Sequence, residues 1–324
     1  MKVDSKRSQS QIKNGDILLS YIGSSLRKNI LDASVEMFHT YNIEPTPISE
    51  EFVPVDLDVT PMDNSKTHKE EVFYTYKGFF GYAPMMAYIG AEGFLVNTEL
   101  REGSQHCQCN TPAFLSETLN YSHQLTKKQL FVRMDSGNDT AENLGILIED
   151  GSWFIVKRNL RRGESKQEWL DKAKECCQDI RHPRDGKTVY VGSSWKDVNY
   201  LDFKGNSKTI TMRIVYEVIE RTMDKNGQFL ILPDIECNTF WTNLDWNDDA
   251  VIKGYHAHGE CEQYHREIKT DMDVERLPSG KFETNELVLE LTILAYNILR
   301  MIGQVSLKSR RAPRSKHPVK RRRI

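Results

Sequence analysis

Tyr255, His258, Glu262 and Lys269 stand at offsets of 0, 3, 7 and 14 residues. On an α-helix turning about 100° per residue they fall near 0°, 300°, 340° and 320°, inside one stripe roughly 60° wide. Such a stripe lines up a phenol, an imidazole, a carboxylate and an amine, groups that could act on a bound substrate. A helix that only covers a core puts apolar residues there instead. Two readings stay open at this point: a chemically active face, or a solvated stripe stitched by Glu–His and Glu–Arg pairs. More carboxylates stand on predicted strands. In the segment from Phe52 to Val59 (FVPVDLDV), Val53, Val55, Leu57 and Val59 alternate to one side and Asp56 and Asp58 to the other. Asp135 directly follows the strand-like run Gln129 to Met134.

The elements that must position these groups can be read in chain order. After the Asp56–Asp58 strand, two apolar runs, Tyr82 to Ile89 and Phe94 to Leu100, flank Gly90-Ala91-Glu92-Gly93 and predict a β-hairpin. Thr111-Pro112 opens a helix as N-cap and first position. The Gln129–Met134 strand follows, then a helix opened by an Asp139/Glu142 capping pair, then a strand from Trp153 to Val156. The order β-β-β-α-β-α-β is that of an α/β chain with a mixed sheet. Asp58 and Asp135 both lie at strand C-termini, where open α/β sheets gather their ligands. Ser165 with Glu168 caps a further helix, and β-like segments from Thr188 to Tyr216 and Phe229 to Leu232 read as a β-rich insertion. Helical periodicity returns between about Asp248 and Lys269. A last helix, Glu286 to Val305, shows Leu287, Leu291, Leu294, Ile298 and Ile302 as its buried stripe.

Composition narrows the function classes. The 324 residues are 39% hydrophobic and 28% charged, which suits a globular chain of about two domains and excludes a fibre or a disordered polymer. No apolar run approaches a membrane span and no secretory signal opens the chain, so a cytoplasmic protein without a membrane partner is expected. Six cysteines are too sparse for a disulfide scaffold. Nine of the 44 basic residues lie between Lys308 and Ile324, leaving 35 against 46 acids: a body near −11 with a tail of +9. Such a tail is a solvated end or an arm seeking a polyanion, of which nucleic acid is the commonest.

Taken together, these motifs resemble one family. The spacing Tyr255-x2-His258-x3-Glu262-x6-Lys269 is similar to the Y-x2-R-x3-E-x6-K signature of bacterial insertion-sequence transposases of the DDE class. Asp56-Leu57-Asp58-Val59-Thr60 resembles the family's first-aspartate strand and Arg133-Met134-Asp135-Ser136-Gly137 its second-aspartate motif. Leu100-Arg101-Glu102-Gly103-Ser104-Gln105-His106 resembles the motif after the hairpin, and Ala295-Tyr296-Asn297 a segment of the last helix. The likeness runs from Glu51 to Gln304. It implies a ribonuclease-H-like mixed sheet flanked by helices, with a β-rich insertion between the second catalytic Asp and the catalytic Glu. It also implies cut-and-paste transposition, with double-stranded DNA as partner and a homodimer on that DNA. Phosphodiester cleavage and rejoining needs charge neutralised on the phosphoryl group, which two Mg²⁺ ions held by three acids supply, Mn²⁺ being able to replace them. By resemblance Asp58 bridges the ions, Asp135 holds one and Glu262 the other. Tyr255, His258 and Lys269 would hold backbone phosphates, joined by Arg158, Arg161 and Arg162 of the basic run Lys157 to Arg162.

The implied layout is a helical N-terminal remnant over 1–50, core over 51–160, helix plus insertion over 161–235, core again over 236–305, and a disordered basic tail over 306–324. The sequence departs from the family in three places. His258 replaces Arg, a weaker phosphate ligand at neutral pH, so His258→Arg would be expected to speed cleavage. Asp56 shares a face with Asp58 and competes for the role of first ligand. Only about 55 residues precede Asp56, so a truncated N-terminus is expected, with Lys28 to Met37 still able to form a helix. His106, Cys107 and Cys109 with His123 invite a zinc reading, but C-x-C lacks the usual spacing and free thiols are the expectation. An inactive or repurposed DNA-binding relic and a general Mg²⁺ nuclease are the alternatives.

Overall fold

A computed structural model describes residues 26–177 and 179–308. The basic tail beyond Lys308 and the first half of the expected N-terminal region lie outside them. A helix, α1, covers 26–40, where the sequence predicts one from Lys28. The first strand, β1 (Phe52–Val59), is followed by three short strands, β2 (Met62–Asp63), β3 (Phe73–Tyr74) and β4 (Phe80–Tyr82), which pair as a small separate sheet in the order β2-β4-β3. The predicted hairpin is β5 (Met85–Ile89) and β6 (Phe94–Glu99). Its turn requires φ of 81° at Gly90 and 70° at Gly93, a backbone that L side chains rarely adopt.

Next come α2 (Thr111–Leu125), β7 (Gln129–Met134), α3 (Ala141–Asp150) and β8 (Trp153–Arg158). The expected N-caps shift by one residue at both helices. Asn110 precedes α2, and Thr140 caps α3 by accepting from the Asn143 N–H, because Asp139 is turned inward onto Arg161 and the Trp241 indole. The Ser165/Glu168 capping box of α4 (Lys166–Cys176) is present as predicted.

Among the described residues nine strands form one sheet, ordered β6-β5-β1-β7-β8-β12-β11-β10-β9. The last four are β9 (Asp179–Arg184), β10 (Lys187–Leu201), β11 (Ser207–Met223) and β12 (Phe229–Thr242). Strands β1, β7 and β8 are parallel, and every other neighbouring pair is antiparallel. The β-rich segment therefore continues the sheet. Thr239 to Thr242 pair with Ile155 to Arg158, and the Thr239 and Thr242 hydroxyls donate to the Arg158 and Phe154 carbonyls at 3.0 and 2.8 Å. The boundary expected between 235 and 236 falls inside β12.

The chain closes with α5 (Asp248–His256), α6 (Cys261–Arg266) and α7 (Phe282–Leu307). The face of α7 is the opposite of the expected one. Leu289, Ile293, Tyr296 and Met301 are buried, whereas Leu291, Ile298 and Ile302 are 46%, 46% and 61% exposed. The inward face is chosen by hydrogen bonding as well as by apolarity. Strand β6 is the sheet edge, and the buried Asn297 amide accepts from the Leu95 N–H at 2.9 Å and donates to the Leu95 carbonyl at 2.8 Å. By length and composition α7 could cross a membrane, a property not anticipated from the sequence, yet its polar Asn285, Glu290, Asn297 and Arg300 are buried inside the protein. Leu289→Ala should cost about 2–5 kcal/mol in urea unfolding. Ile302→Gln should stay within about 0.5 kcal/mol of the parent; the reverse ranking would restore the sequence-derived face.

On α7 the Glu286 carboxyl is pushed up to about 7, by burial first and then by the Glu290 charge, against the opposing Arg27. Its ionisation opposes folding, so stability is lost as pH rises from the ordinary carboxylate value of 4.5 through about 7. Glu286→Gln should therefore raise stability at pH 8 by about 1 kcal/mol, discounted for partial exposure, and by nothing near pH 4. Thermal unfolding of both chains at the two pH values checks the sign.

Candidate active site

Parallel pairing of β1 with β7 sets Leu57 beside Met134. The next residues, Asp58 and Asp135, thus lie at the C-terminal ends of two adjacent strands. Both line a cavity of about 580 Å³ together with Tyr74, Tyr76, Cys107 and Gly137. A second cavity, about 670 Å³, also reaches Asp58 and is lined by Thr60, Glu262, His265 and Lys269. Asp58, Val59 and Tyr76 line both. Asp58 thus shares one cavity with Asp135 and the other with the exposed Glu262 of α6.

The segment carrying Tyr255 to Lys269 is not one α-helix, as the stripe assumed. A 3-10 turn (Ala257–Glu260) separates α5 from α6, and a π turn (Glu267–Asp271) follows α6. Tighter and wider winding changes the phase between the four residues. Tyr255 reaches Asp135, its hydroxyl donating to Oδ1. Burial first, then the Asp135 charge, raises that phenol far above its ordinary value, so it stays a donor. Lys269 donates to the Pro61 carbonyl at 2.9 Å and lies 3.5 Å from Glu275. Helix α6 is seated through Tyr264, whose ring lies against Gly93; a Cβ there would come within 2.3 Å of it.

His258, expected on a DNA phosphate, is buried instead, with Nδ1 2.8 Å from Asp56 Oδ1. The same carboxylate takes a two-pronged grip from Arg133 at 2.6 and 2.7 Å, and Arg133 also donates to the Gly254 carbonyl at 3.0 Å. Burial works against the Asp56 charge, but Arg133 and His258 outweigh it and hold the carboxyl below the ordinary range. Asp56 is therefore a spent, buried acid tying β1 to β7 and α5, while Asp58 faces the cavities. Among the described residues the three ligating side chains whose donor atoms lie within 4.8 Å of one another are Asp56, His258 and Cys261, where the Arg133 guanidinium already occupies both oxygens of the acid; Asp58, Asp135 and Glu262 are not drawn together that closely. An arginine at 258 would meet Arg133 on one carboxylate, which removes the basis for expecting His258→Arg to help.

His265 is the residue that sequence reasoning missed. Its Nε2 lies 3.1 Å from Asp58 Oδ2 and its Nδ1 2.9 Å from the Tyr88 hydroxyl, while the Val59 N–H donates to Asp58 Oδ1 at 2.7 Å. Burial opposes the Asp58 charge too, but the His265 hydrogen bond and charge hold its carboxyl below the ordinary range. The clue was present: His265 follows Glu262 by three residues and so shares its helix face.

The basic run divides. Arg158 is buried, bound to both Glu164 oxygens at 2.6 and 2.8 Å with its guanidinium over the Trp169 and Trp241 rings, and so is not available to DNA. Arg161 pairs with Asp139 at 2.6 and 2.8 Å, and Arg162 is exposed to solvent. The zinc candidates do not converge among the described residues: Cys107 donates to the Gly137 carbonyl at 3.1 Å, Cys109 is exposed and His123 pairs with Asp150.

Against known proteins, a local similarity reaches the tRNA-specific 2-thiouridylase MnmA of two Leptospira interrogans strains, serovars copenhageni and Lai. It is 33% identity over 123 residues, 36% of this chain and 29% of those proteins, so the chain spans less than a third of their length. A solved structure of the piggyBac transposase in a synaptic complex with hairpin DNA overlaps 78% of this chain and 46% of that one, at 10% identity and a TM-score of 0.37, too low to establish a common fold. The similarity that spans the chain is to the family described as transposase DDE domain group 1. It matches residues 24–320, which contain every acid described above, and the chain belongs to that family.

Proposed function

We propose that this chain is a transposase that cuts and rejoins DNA by divalent-metal-dependent phosphoryl transfer, moving an insertion sequence by a cut-and-paste route as a homodimer in the cytoplasm. The observation that carries the reading is the placement of Asp58 and Asp135 on adjacent parallel strand ends, with Glu262 lining a cavity that Asp58 also lines. The strand order β6-β5-β1-β7-β8, two antiparallel strands beside three parallel ones, supports a ribonuclease-H-like core.

The donor types suit Mg²⁺, and the three acids would have to draw closer than they stand here to share its ions. The set consists of three carboxylates, all hard oxygen ligands, with the one competing acid, Asp56, withdrawn onto Arg133. Asp58, Asp135 and Glu262 would hold the ions, with Mn²⁺ able to replace them. When bound, the metal supplies neutralisation of charge on the attacking, leaving and equatorial phosphoryl oxygens. The chain's own groups do the positioning. His265 and Val59 fix the Asp58 carboxylate, Tyr255 fixes Asp135, and Lys269 and Arg162 offer cations to backbone phosphates. The test is incubation of the purified chain with a supercoiled plasmid carrying its element's ends. Mg²⁺-dependent nicks at those ends and joined products are expected. No cleavage would leave a relic of the fold, and cleavage without end preference or joining would leave a general nuclease.

A further inference from the structure

The small sheet beside Asp58 exposes aromatic rings that neither the core nor the acids require. Tyr74 is 59% exposed and Tyr76 67%. Their segment is not loose. The buried Thr75 accepts at its carbonyl from the Gly78 N–H at 3.0 Å, and its own N–H and hydroxyl donate to the Phe79 carbonyl at 2.8 and 2.9 Å. Gly78 supplies the φ of 89° that closes this turn. Tyr74 packs edge-on to Phe80, ring centres 5.4 Å apart, and the Tyr76 hydroxyl donates to the Val59 carbonyl at 3.2 Å. Each contact fixes a ring while leaving ring surface open to solvent. Large exposed aromatic surface held rigid in this way is what a binding site retains for a partner.

The location says which partner. Tyr74 and Tyr76 line the cavity that holds Asp58 and Asp135, and Tyr76 also lines the one that holds Glu262. The Tyr76 phenol is pushed up to about 12 by burial and then by the Asp58 and Asp135 charges, so it stays a donor. Lys77 puts its ammonium 5.4 Å from the Tyr76 ring centre, a cation for an adjacent phosphate. Bases inside a duplex are stacked on one another and cannot lie on a protein ring, whereas an unpaired base can.

We propose that Tyr74 and Tyr76 form a stacking subsite for an unpaired nucleobase next to the reacting phosphate, whose metal ions Asp58, Asp135 and Glu262 would hold. The subsite rests on the DNA-cleaving reading above and adds the form of the substrate: a strand end frayed or single-stranded at the reacting position. Stacking tolerates any base, so the terminal sequence need not be known to test it.

The experiment compares a blunt duplex with the same duplex bearing a four-nucleotide single-stranded end, 2-aminopurine at the first unpaired position, with Ca²⁺ replacing Mg²⁺ to prevent cutting. The parent chain should bind the single-stranded end about tenfold more tightly by anisotropy, with quenched 2-aminopurine emission. The double variant Tyr74→Leu/Tyr76→Leu should lose the preference and the quench while keeping the parent's affinity for blunt duplex. Tyr76→Phe, which keeps the ring and loses the hydroxyl, should retain both. The subsite is overturned if the parent shows no preference, if the double variant keeps it, or if the double variant loses blunt-duplex affinity in equal measure. A parent chain that binds neither DNA overturns the DNA-cleaving reading itself, and the subsite with it.

Discussion

Asp58→Asn is expected to reduce Mg²⁺-dependent strand cleavage by about a thousandfold or more while leaving the fold intact. The change is nearly isosteric and keeps an oxygen to accept the Val59 N–H. It removes the one charge that lines both cavities, and with it the acid that shares a cavity with each of Asp135 and Glu262. Metal-borne charge stabilisation of several kcal/mol corresponds to three or more powers of ten in rate. The comparison that gives the result meaning is Asp56→Asn, two residues away on the same strand face. That variant should lose stability and retain Mn²⁺ affinity, measured by electron paramagnetic resonance of the free ion, whereas Asp58→Asn should do the reverse. If Asp56→Asn lost the metal and Asp58→Asn kept it, the assignment of the first ligand would have to move to the buried acid.

What the sequence made legible was whatever rests on local periodicity. The two-residue alternation of Phe52–Val59, the turn glycines at 90 and 93, and the Ser165/Glu168 cap each specify their own element without outside help. The acids at the ends of β1 and β7 followed from those strands. Three other features depend on partners far away in the chain. Arg158 looks like its basic neighbours until Trp169, Trp241 and Glu164 fold around it. The most apolar stripe of α7 is not the one that points inward, because the edge of β6 needs the Asn297 amide. The Tyr255–Lys269 stripe requires a uniform 100° per residue, but the winding tightens after His256 and widens after Arg266, so Tyr255 and His258 meet carboxylates while Glu262 and Lys269 line the open cavity. The continuation of the sheet into β12 belongs to the same class, since strand pairing leaves no mark in one sequence.

Breaking the Asp56–Arg133 pair should be the costliest single change in stability near the site. Arg133→Met leaves a buried carboxylate with only His258 to answer it, and Asp56→Ala leaves a buried guanidinium whose remaining partner is the Gly254 carbonyl. Removing one member of such a pair costs about 3–5 kcal/mol, because the survivor stays buried and uncompensated. The double variant Asp56→Leu/Arg133→Met removes both charges and should cost much less than the two singles together. A residue of about 1–3 kcal/mol is expected from His258, which loses its acceptor while its Nε2 already has no partner among the described residues. The pH dependence carries a further sign. Asp56 lies below its ordinary 3.8, so its contribution is present above that value and fades as pH falls through its lowered one. His258 is raised from 6.5, with burial opposing and Asp56 prevailing, so its contribution is complete below 6.5 and fades as pH rises through its raised value. Between those limits the three groups hold β1, β7 and the start of the 3-10 turn together, and the parent's advantage over Asp56→Asn should be greatest there. An advantage that stayed flat from pH 3 to pH 9 in urea unfolding would mean that packing, not charge, fixes the position from which Asp58 meets its substrate.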